Sequence, residues 1–330
     1  MKTKHILITG GAGFVGHHII LYYLKNTNYK ITSLDRLDFS GSYKRIDQII
    51  SKNKSWAKRL KIVWHDLKAN INPIVAKQIK NPDIILHIAA ASHVDRSIED
   101  PMSFVMDNIV GTVNILDYAK KLKQLSTFLY FSTDEVFGPA PNKMKFKEND
   151  RYNSGNPYAA SKAGAEEMCM AYQNTFNIPI IITHTMNVIG ERQHPEKYLP
   201  KIISCVQSQK ILNIHSNKSR TKPGSRFYIH AQDVADAINF ILNKGKTNQK
   251  YNIVGPKEID NLKLARIVSH HIGKKLKYKL VDFHSSRPGH DLRYALSGKK
   301  LENMGWKPQK NIEKRIRETV SWTIKNKEWY

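Results

Sequence analysis

At 330 residues, 41% apolar and 25% charged, the chain has the make-up of a globular protein with a sizeable core and not that of a disordered one. Its formal charge of +25 comes from lysines scattered along the whole length without a zinc-finger or other nucleic-acid signature, so a solvated basic surface and anionic ligands are expected, and no nucleic-acid partner. Cys169 and Cys205 give neither a disulfide framework nor a zinc site, no apolar run is long enough to cross a membrane, and the short apolar stretch at the amino end runs into glycines, so the expected setting is cytoplasmic.

Taken in order, short apolar runs alternate with amphipathic, helix-like stretches. The runs are HILIT (5–9), KITSLD (30–35), KIVWHD (61–66), DIILHIAA (83–90), TFLYFS (127–132) and IPIIITH (178–184). Runs so continuously apolar are buried on both faces, which implies a parallel sheet covered by helices. The strand–helix alternation predicts an α/β, Rossmann-type doubly wound fold. After Asn187 the pattern is less regular. The expected division is a dinucleotide-binding domain over 1–186, with 226–252 returning to its sheet, and a smaller carboxy-terminal substrate-binding lobe over 187–225 and 253–330.

The first strand ends in TGGAGFVG, where Gly10, Gly13 and Gly16 have Gly-x-x-Gly-x-x-Gly spacing and Phe14 and Val15 fill the last gap. Between a strand and a helix, such a turn lets the backbone approach a pyrophosphate. The helix N-terminus adds N–H donors and a positive dipole end. The second strand ends in Asp35, about 20 residues on, where a carboxylate grips the adenosine ribose hydroxyls. Asp35 would repel a 2′-phosphate and favours NAD over NADP, whereas the adjacent Arg36 could welcome that phosphate. Two further strand ends suit the same ligand. WHDLK sets Asp66 and Leu67 where an adenine can be held, and HIAAASHVDRS sets Ala89, Ala90 and Ala91 beside the pyrophosphate path. Taken singly, these positions read equally well as buried turn residues or close packing.

NPYAASKAGAEEM carries Tyr158 and Lys162, with Asn156 suited to cap a helix and Pro157 to open it. Four residues apart, the Tyr and Lys share one helix face. A tyrosine with a pKa of about 10 is a poor base at neutral pH. An adjacent ammonium and a positively charged nicotinamide are expected to lower that pKa, so that the phenol takes a proton from a hydroxyl as hydride leaves the same carbon. FSTDEVFG poses a further question. An apolar strand ends in Ser132, Thr133, Asp134 and Glu135, two acids side by side where burial penalises charge. A solvated turn explains them poorly, because the preceding run reads as buried.

With these residues assembled, the chain resembles the extended short-chain dehydrogenase/reductase superfamily over nearly its whole length. Within it, the chain resembles the nucleotide-sugar 4,6-dehydratases of the dTDP-glucose 4,6-dehydratase type. The resemblance rests on TGGAGFVG, AAASHVDRSI, STDEVFG, YAASK, the PEKYLP stretch and RPGHDLRYAL. Epimerases of the superfamily usually carry small hydroxyl residues where Asp134 and Glu135 stand. GDP-mannose dehydratases and UDP-glucuronate decarboxylases usually carry Ser in place of the Asp. The resemblance therefore implies NAD as cofactor and a nucleotide-diphosphate hexose as substrate, dTDP-glucose or UDP-glucose, converted to the 4-keto-6-deoxy sugar plus water.

Oxidation at C4 acidifies the C5 proton. A base must remove that proton and an acid must protonate the departing C6 hydroxyl, tasks for two carboxyl groups with pKa values pushed apart. By resemblance Glu135 is the base at C5, Asp134 the acid at C6, and Thr133 binds the C4 oxygen and helps set up Tyr158. Hydride then returns to C6. The resemblance further implies that Ser92, Asn187, Arg226, Arg287, His290 and Tyr294 hold the substrate, the arginines on its diphosphate. It also implies a homodimer, with helices at 101–122 and 157–176 pairing as a four-helix bundle. No metal is expected, since His270 and His271 are adjacent on a helix and do not face one ligand. Three departures lie near nucleotide and diphosphate positions: Glu191 where a proline is usual, His230 where tyrosine is common, and extra basic residues in 215–226. The competing readings are a sugar epimerase on the same scaffold and a cofactor- or nucleic-acid-binding protein without catalysis.

Overall fold

Six apolar runs become strands within a few residues of their expected limits: β1 (His5–Thr9), β2 (Lys30–Asp35), β3 (Leu60–Trp64), β4 (Ile84–His87), β5 (Thr127–Thr133) and β6 (Ile180–Thr185). Among the described residues seven further strands follow: β7 (Val188–Ile189), β8 (Leu212–Ser216), β9 (Ser225–Phe227), β10 (Ile229–His230), β11 (Gln249–Ile253), β12 (Glu258–Asp260) and β13 (Tyr278–Asp282). The structure, a computed structural model, describes residues 3–141, 143–282 and 292–330. Its main sheet is wholly parallel in the order β11-β6-β5-β4-β1-β2-β3. Chain order reverses between β1 and β4, and ligands of such sheets bind beyond the carboxyl ends of the strands at that reversal.

Each central strand divides its side chains between two cores. Ile6, Ile8, Leu86, Leu129 and Ile181 pack with the helices Phe14–Asn26 and Ala231–Lys244. Their neighbours Leu7, Ile85, Phe128, Tyr130 and Ile180 pack on the other face with the helices Gly111–Ala119 and Pro157–Phe176. Alternate residues thus serve opposite faces, which is why these runs are apolar throughout.

The helix expected over 101–122 is broken. Pro101–Phe104 is one short helix, Val105–Val110 winds as a π-helix, and α-helix resumes at Gly111. The wider turn re-aims Asp107 and Asn108, and such bulges concentrate at functional sites. Beyond β6 the sheet gives way to pairs: β10 with β7, β12 with β9 and β13 with β8. A separate core containing Ile189, Leu199, Ile203, Leu264 and Ile316 lies there, while β11 joins the main sheet beside β6. Buried Arg315 forks onto Asp233, through Nε at 3.0 Å and Nη2 at 2.5 Å, and ties the helix Ile312–Lys325 to Ala231–Lys244. Among the described residues no helix is long and apolar enough to cross a membrane.

Candidate active site

A cleft of about 510 Å³ opens at the carboxyl ends of the strands. Its walls include Gly10, Gly13, Phe14, Val15 and Gly16 of the turn, Asp35, Asp66 and Leu67 of the next strand ends, and Ala89, Ala90, Ala91 and Ser92. Thr133, Asp134, Glu135, Tyr158, Lys162 and Asn187 complete it. Eighteen positions from Gly10 to Asn187 that were singled out from the chain, Ala90 among them, therefore converge on one space.

The turn requires its glycines. Gly10 has φ of +69°, and a Cβ there would lie 2.8 Å from the Ala89 backbone. A Cβ on Gly16 would lie 2.1 Å from the Gly10 carbonyl. The close turn leaves the N-terminus of Phe14–Asn26 facing the cleft, suited to an anion. Asp35 accepts from Ala12 N at 3.0 Å and Leu37 N at 2.8 Å. Burial pushes its carboxyl up, against those two donors. Arg36 forks onto Asp107, Nη1 to Oδ1 at 2.6 Å and Nη2 to Oδ2 at 2.8 Å, and its Nε donates to Asp38 at 2.5 Å.

At the other end, β5 delivers Thr133 and the chain turns through the short 3₁₀ helix Asp134–Phe137. The Thr133 hydroxyl donates to Asp134 Oδ1 at 3.1 Å and accepts from Glu135 N at 3.3 Å. Asp134 Oδ2 is buried without a hydrogen-bond partner. Burial, and then the charge of Glu135, push the Asp134 carboxyl up to about 7, while Arg226 pulls the other way. Asn156 caps the helix Pro157–Phe176 by accepting from Ala159 N at 2.8 Å, and its Nδ2 donates to Glu135 Oε2 at 3.3 Å. That cap places the acid turn against the first turn of the tyrosine helix.

One expectation is corrected here. The residues around Tyr158 push its phenol well above its ordinary value, through burial and then Glu135, and only the hydrogen bond with Thr133 opposes them among the larger influences. Lys162 is not among those larger influences; its Nζ donates to the Phe131 carbonyl at 2.7 Å and stands 4.2 Å above the Tyr130 ring. Burial brings Lys162 itself down to about 8. The shared helix face is real, but the ammonium is turned to the end of β5.

Of the six substrate positions, Ser92 and Asn187 line the cleft. Arg226 and Tyr294 stand outside its wall: Arg226 Nη1 donates to the carbonyls of Ser225 and Leu292, and its guanidinium lies 4.6 Å from the Tyr294 ring. Arg226 is nevertheless near enough for its charge to act on Asp134. Arg287 and His290 lie outside the described residues. The departures Glu191 and His230 meet each other, Oε2 to Nε2 at 3.4 Å, and His18 Nε2 is 3.0 Å from the Glu191 carbonyl.

Sequence reading missed several residues that line the cleft or brace its wall from behind. Asn108 clamps Ala91, accepting from its N–H at 2.8 Å and donating to its carbonyl at 3.1 Å, and also donates to Ser161 on the tyrosine helix at 2.8 Å. The available signal was a polar Asp-Asn pair inside the apolar stretch SFVMDNIVGTV. Glu196 and Lys197, in the quoted PEKYLP stretch, bridge the cleft mouth to Arg96 at 2.8 Å and to the Ser92 carbonyl at 3.1 Å. Phe39 lies under the Arg96 guanidinium at 4.1 Å. Among the described residues no group of three or more His, Cys, Asp or Glu could hold a metal ion.

A doubly wound parallel sheet, a glycine turn before the first helix, and Tyr158 and Lys162 beside Thr133 are the fold and residue set of the short-chain dehydrogenase/reductase class. The family model described as GDP-mannose 4,6 dehydratase matches residues 7–319. The chain is 33% identical over 352 residues to the dTDP-glucose 4,6-dehydratase of Escherichia coli, covering 98% of this chain and 95% of that protein. It is 35% identical over 334 residues to an Arabidopsis thaliana trifunctional UDP-glucose 4,6-dehydratase/UDP-4-keto-6-deoxy-D-glucose 3,5-epimerase/UDP-4-keto-L-rhamnose-reductase, of which it spans 48% while all of this chain is covered. The solved dTDP-glucose 4,6-dehydratase of Streptomyces venezuelae with NAD bound matches at 30% identity and a TM-score of 0.88, covering 99% of this chain and 98% of that one. The chain belongs to the nucleotide-sugar 4,6-dehydratases of the extended short-chain dehydrogenase/reductase superfamily.

Proposed function

We propose that the protein is an NAD-dependent hydro-lyase that converts a nucleotide-diphosphate glucose into the 4-keto-6-deoxy sugar and water. The observation that carries this is Asp134, a buried carboxyl raised to about 7 with Glu135 directly beside it. A carboxyl raised to near neutrality is an acid for a leaving hydroxyl, next to a second carboxyl, held by Asn156, that acts as base. Epimerisation at C4 loses no water and needs no such acid.

Gly10, Gly13, Gly16 and Asp35 fit a dinucleotide, since the turn has no room for side chains and leaves a helix N-terminus facing the pyrophosphate path. NAD held there would supply the hydride acceptor for oxidation at C4 and the hydride donor for reduction at C6. Tyr158 would take the proton of the C4 hydroxyl once the positive charge of a bound nicotinamide offsets the burial that raises its phenol, with Thr133 supporting the phenolate. Glu135, held by Asn156, takes the C5 proton and gives a proton back to C5 as C6 is reduced. Asp134 protonates the departing C6 hydroxyl. Lys162 fixes the strand end through Phe131 and keeps a positive charge behind the site. Ser92, Asn187 and Lys197, which line the same cleft, are assigned to the sugar diphosphate.

The nucleotide is dTDP or UDP, the two carried by the substrates named for the relatives. A homodimer through the 101–119 and 157–176 helices is supported by exposed Ile98, Met102, Met106 and Phe176. Sedimentation velocity tests it, a monomer across micromolar concentrations being the contrary outcome. The activity is tested by mass spectrometry with dTDP-glucose, UDP-glucose, GDP-mannose and UDP-N-acetylglucosamine offered side by side. Loss of one water from a dTDP or UDP sugar is the expected result. A new isomer without mass change would instead assign an epimerase.

A further inference from the structure

Arg36 stands directly after Asp35, where a guanidinium could receive the 2′-phosphate of NADP. The structure shows what that guanidinium is doing. Both terminal nitrogens are forked onto Asp107, at 2.6 and 2.8 Å, and Nε is on Asp38 at 2.5 Å. Asp66 Oδ2 lies 3.6 Å from Nη1. A bidentate, charge-assisted pair of this kind is among the stronger polar contacts a protein makes. The Arg36 backbone is held as well, its carbonyl accepting from Trp64 Nε1 at 2.9 Å.

Asp107 is not a loose surface acid. Its side chain is 12% exposed, and it lies in the π-helix Val105–Val110 one residue before Asn108. Asn108 is clamped to Ala91 and Ser161, so the backbone that presents Asp107 is anchored. Asp35, Asp38, Asp66 and Asp107 all line this end of the cleft with Arg36 and Lys68, and Lys68 Nζ is 3.5 Å from Asp66. Arg45 also lines the cleft and feels the charge of Asp35, so four carboxylates face three cations, which still leaves an excess of negative charge where a dianionic group would arrive. The cation that could receive that group is already forked onto a carboxylate.

We propose that Asp107 is a specificity-determining residue, which holds Arg36 in a carboxylate fork and thereby excludes a 2′-phosphorylated dinucleotide. This rests on the NAD reading above. It goes further by placing part of the discrimination on a residue 71 positions from Arg36, in a helix that carries none of the dinucleotide fingerprint. Removing Asp107 frees the guanidinium and subtracts one negative charge, and both changes favour the phosphate.

The test is the ratio of NADPH to NADH dissociation constants for the full chain, measured by nicotinamide fluorescence. For Asp107→Ala the ratio falls at least tenfold relative to wild type, chiefly through tighter NADPH. Asp107→Asn, which keeps the size and removes the charge, moves the same way and serves if the alanine variant does not fold. Adding Arg36→Ala to Asp107→Ala abolishes the gain, a result that mere loosening of the π-helix would not produce. An unchanged ratio in both Asp107 variants, or a gain that survives loss of Arg36, overturns the proposal. Wild type binding NADPH as well as NADH would overturn the NAD reading itself, and is seen before any variant is made.

Discussion

The two ends of the cleft treat their acids in opposite ways. At the ribose end Asp35 takes two backbone N–H donors, and Asp38 and Asp107 share the Arg36 guanidinium. Those carboxylates have donors to meet their charge. At the catalytic end Asp134 is buried with one oxygen unpartnered, Glu135 alongside it and a pKa pushed to about 7. Satisfied carboxylates make a fixed, discriminating surface, whereas an unsatisfied one is poised to exchange a proton. One family of side chains, placed on two strand ends of the same sheet, thus divides recognition from chemistry.

Breaking the catalytic end has the largest effect. Tyr158→Phe removes the proton acceptor of the first half-reaction and lowers kcat by about 10²–10⁴-fold, the usual span for a general base. It is checked by the absence of transient NADH absorbance on substrate addition. Glu135→Gln falls in the same span, and exchange of the C5 proton with deuterated solvent stops while NADH affinity is nearly unchanged. Full exchange in that variant would remove Glu135 from the mechanism.

Asp134→Asn leaves C4 oxidation and slows water loss, by about 10²-fold at the low end of that span, so NADH absorbance builds up before product. In wild type the rate of water loss declines as pH rises through about 7, because Asp134 must carry its proton. The same shift sets a stability signature. Between its ordinary value of 3.8 and about 7 the folded chain keeps a proton that the unfolded chain has lost. That contribution is full below the lower value and is lost as pH rises through the upper one. Asp134→Asn therefore gains on wild type in thermal stability from pH 5 to pH 8, and a constant difference would contradict the buried, raised carboxyl.

The smallest expected effect lies at the ribose end. Asp35→Ala weakens NADH binding by about tenfold, the scale of one charge-assisted hydrogen bond, and leaves the pH dependence of water loss in place. A shift of that pH profile would mean that the two ends are coupled and not separate.

Much of this was legible in the chain. β1, β2 and β5 fall on HILIT, KITSLD and TFLYFS to within a residue, because strands buried on both faces must be apolar throughout. The glycine turn, Asp35, the Thr-Asp-Glu end and the Tyr/Lys pair reach one cleft because each is a local signal at a strand end or helix start. Arg36 shows where local reading stops. Its neighbour Asp35 gave it two possible roles, and the choice depends on Asp107, brought to it by a π-turn that composition and period do not reveal. Arg226 was expected on the diphosphate, yet it stacks on Tyr294 outside the cleft wall and acts on Asp134 through its charge.

The sequence by itself determined the parallel sheet, the turn that suits a dinucleotide and which motif residues reach one cleft, since side-chain period, glycine placement and four-residue helix spacing act over short stretches of chain. Tertiary structure alone decided which charges those residues feel. Lys162 is turned to the Phe131 carbonyl, burial raises the Tyr158 phenol and lifts the Asp134 carboxyl to about 7, and Arg36 is held by Asp107. Burial and charge pairing depend on what the fold brings from distant positions, and a side chain's electrostatic state is set by those neighbours, not by its place in the chain.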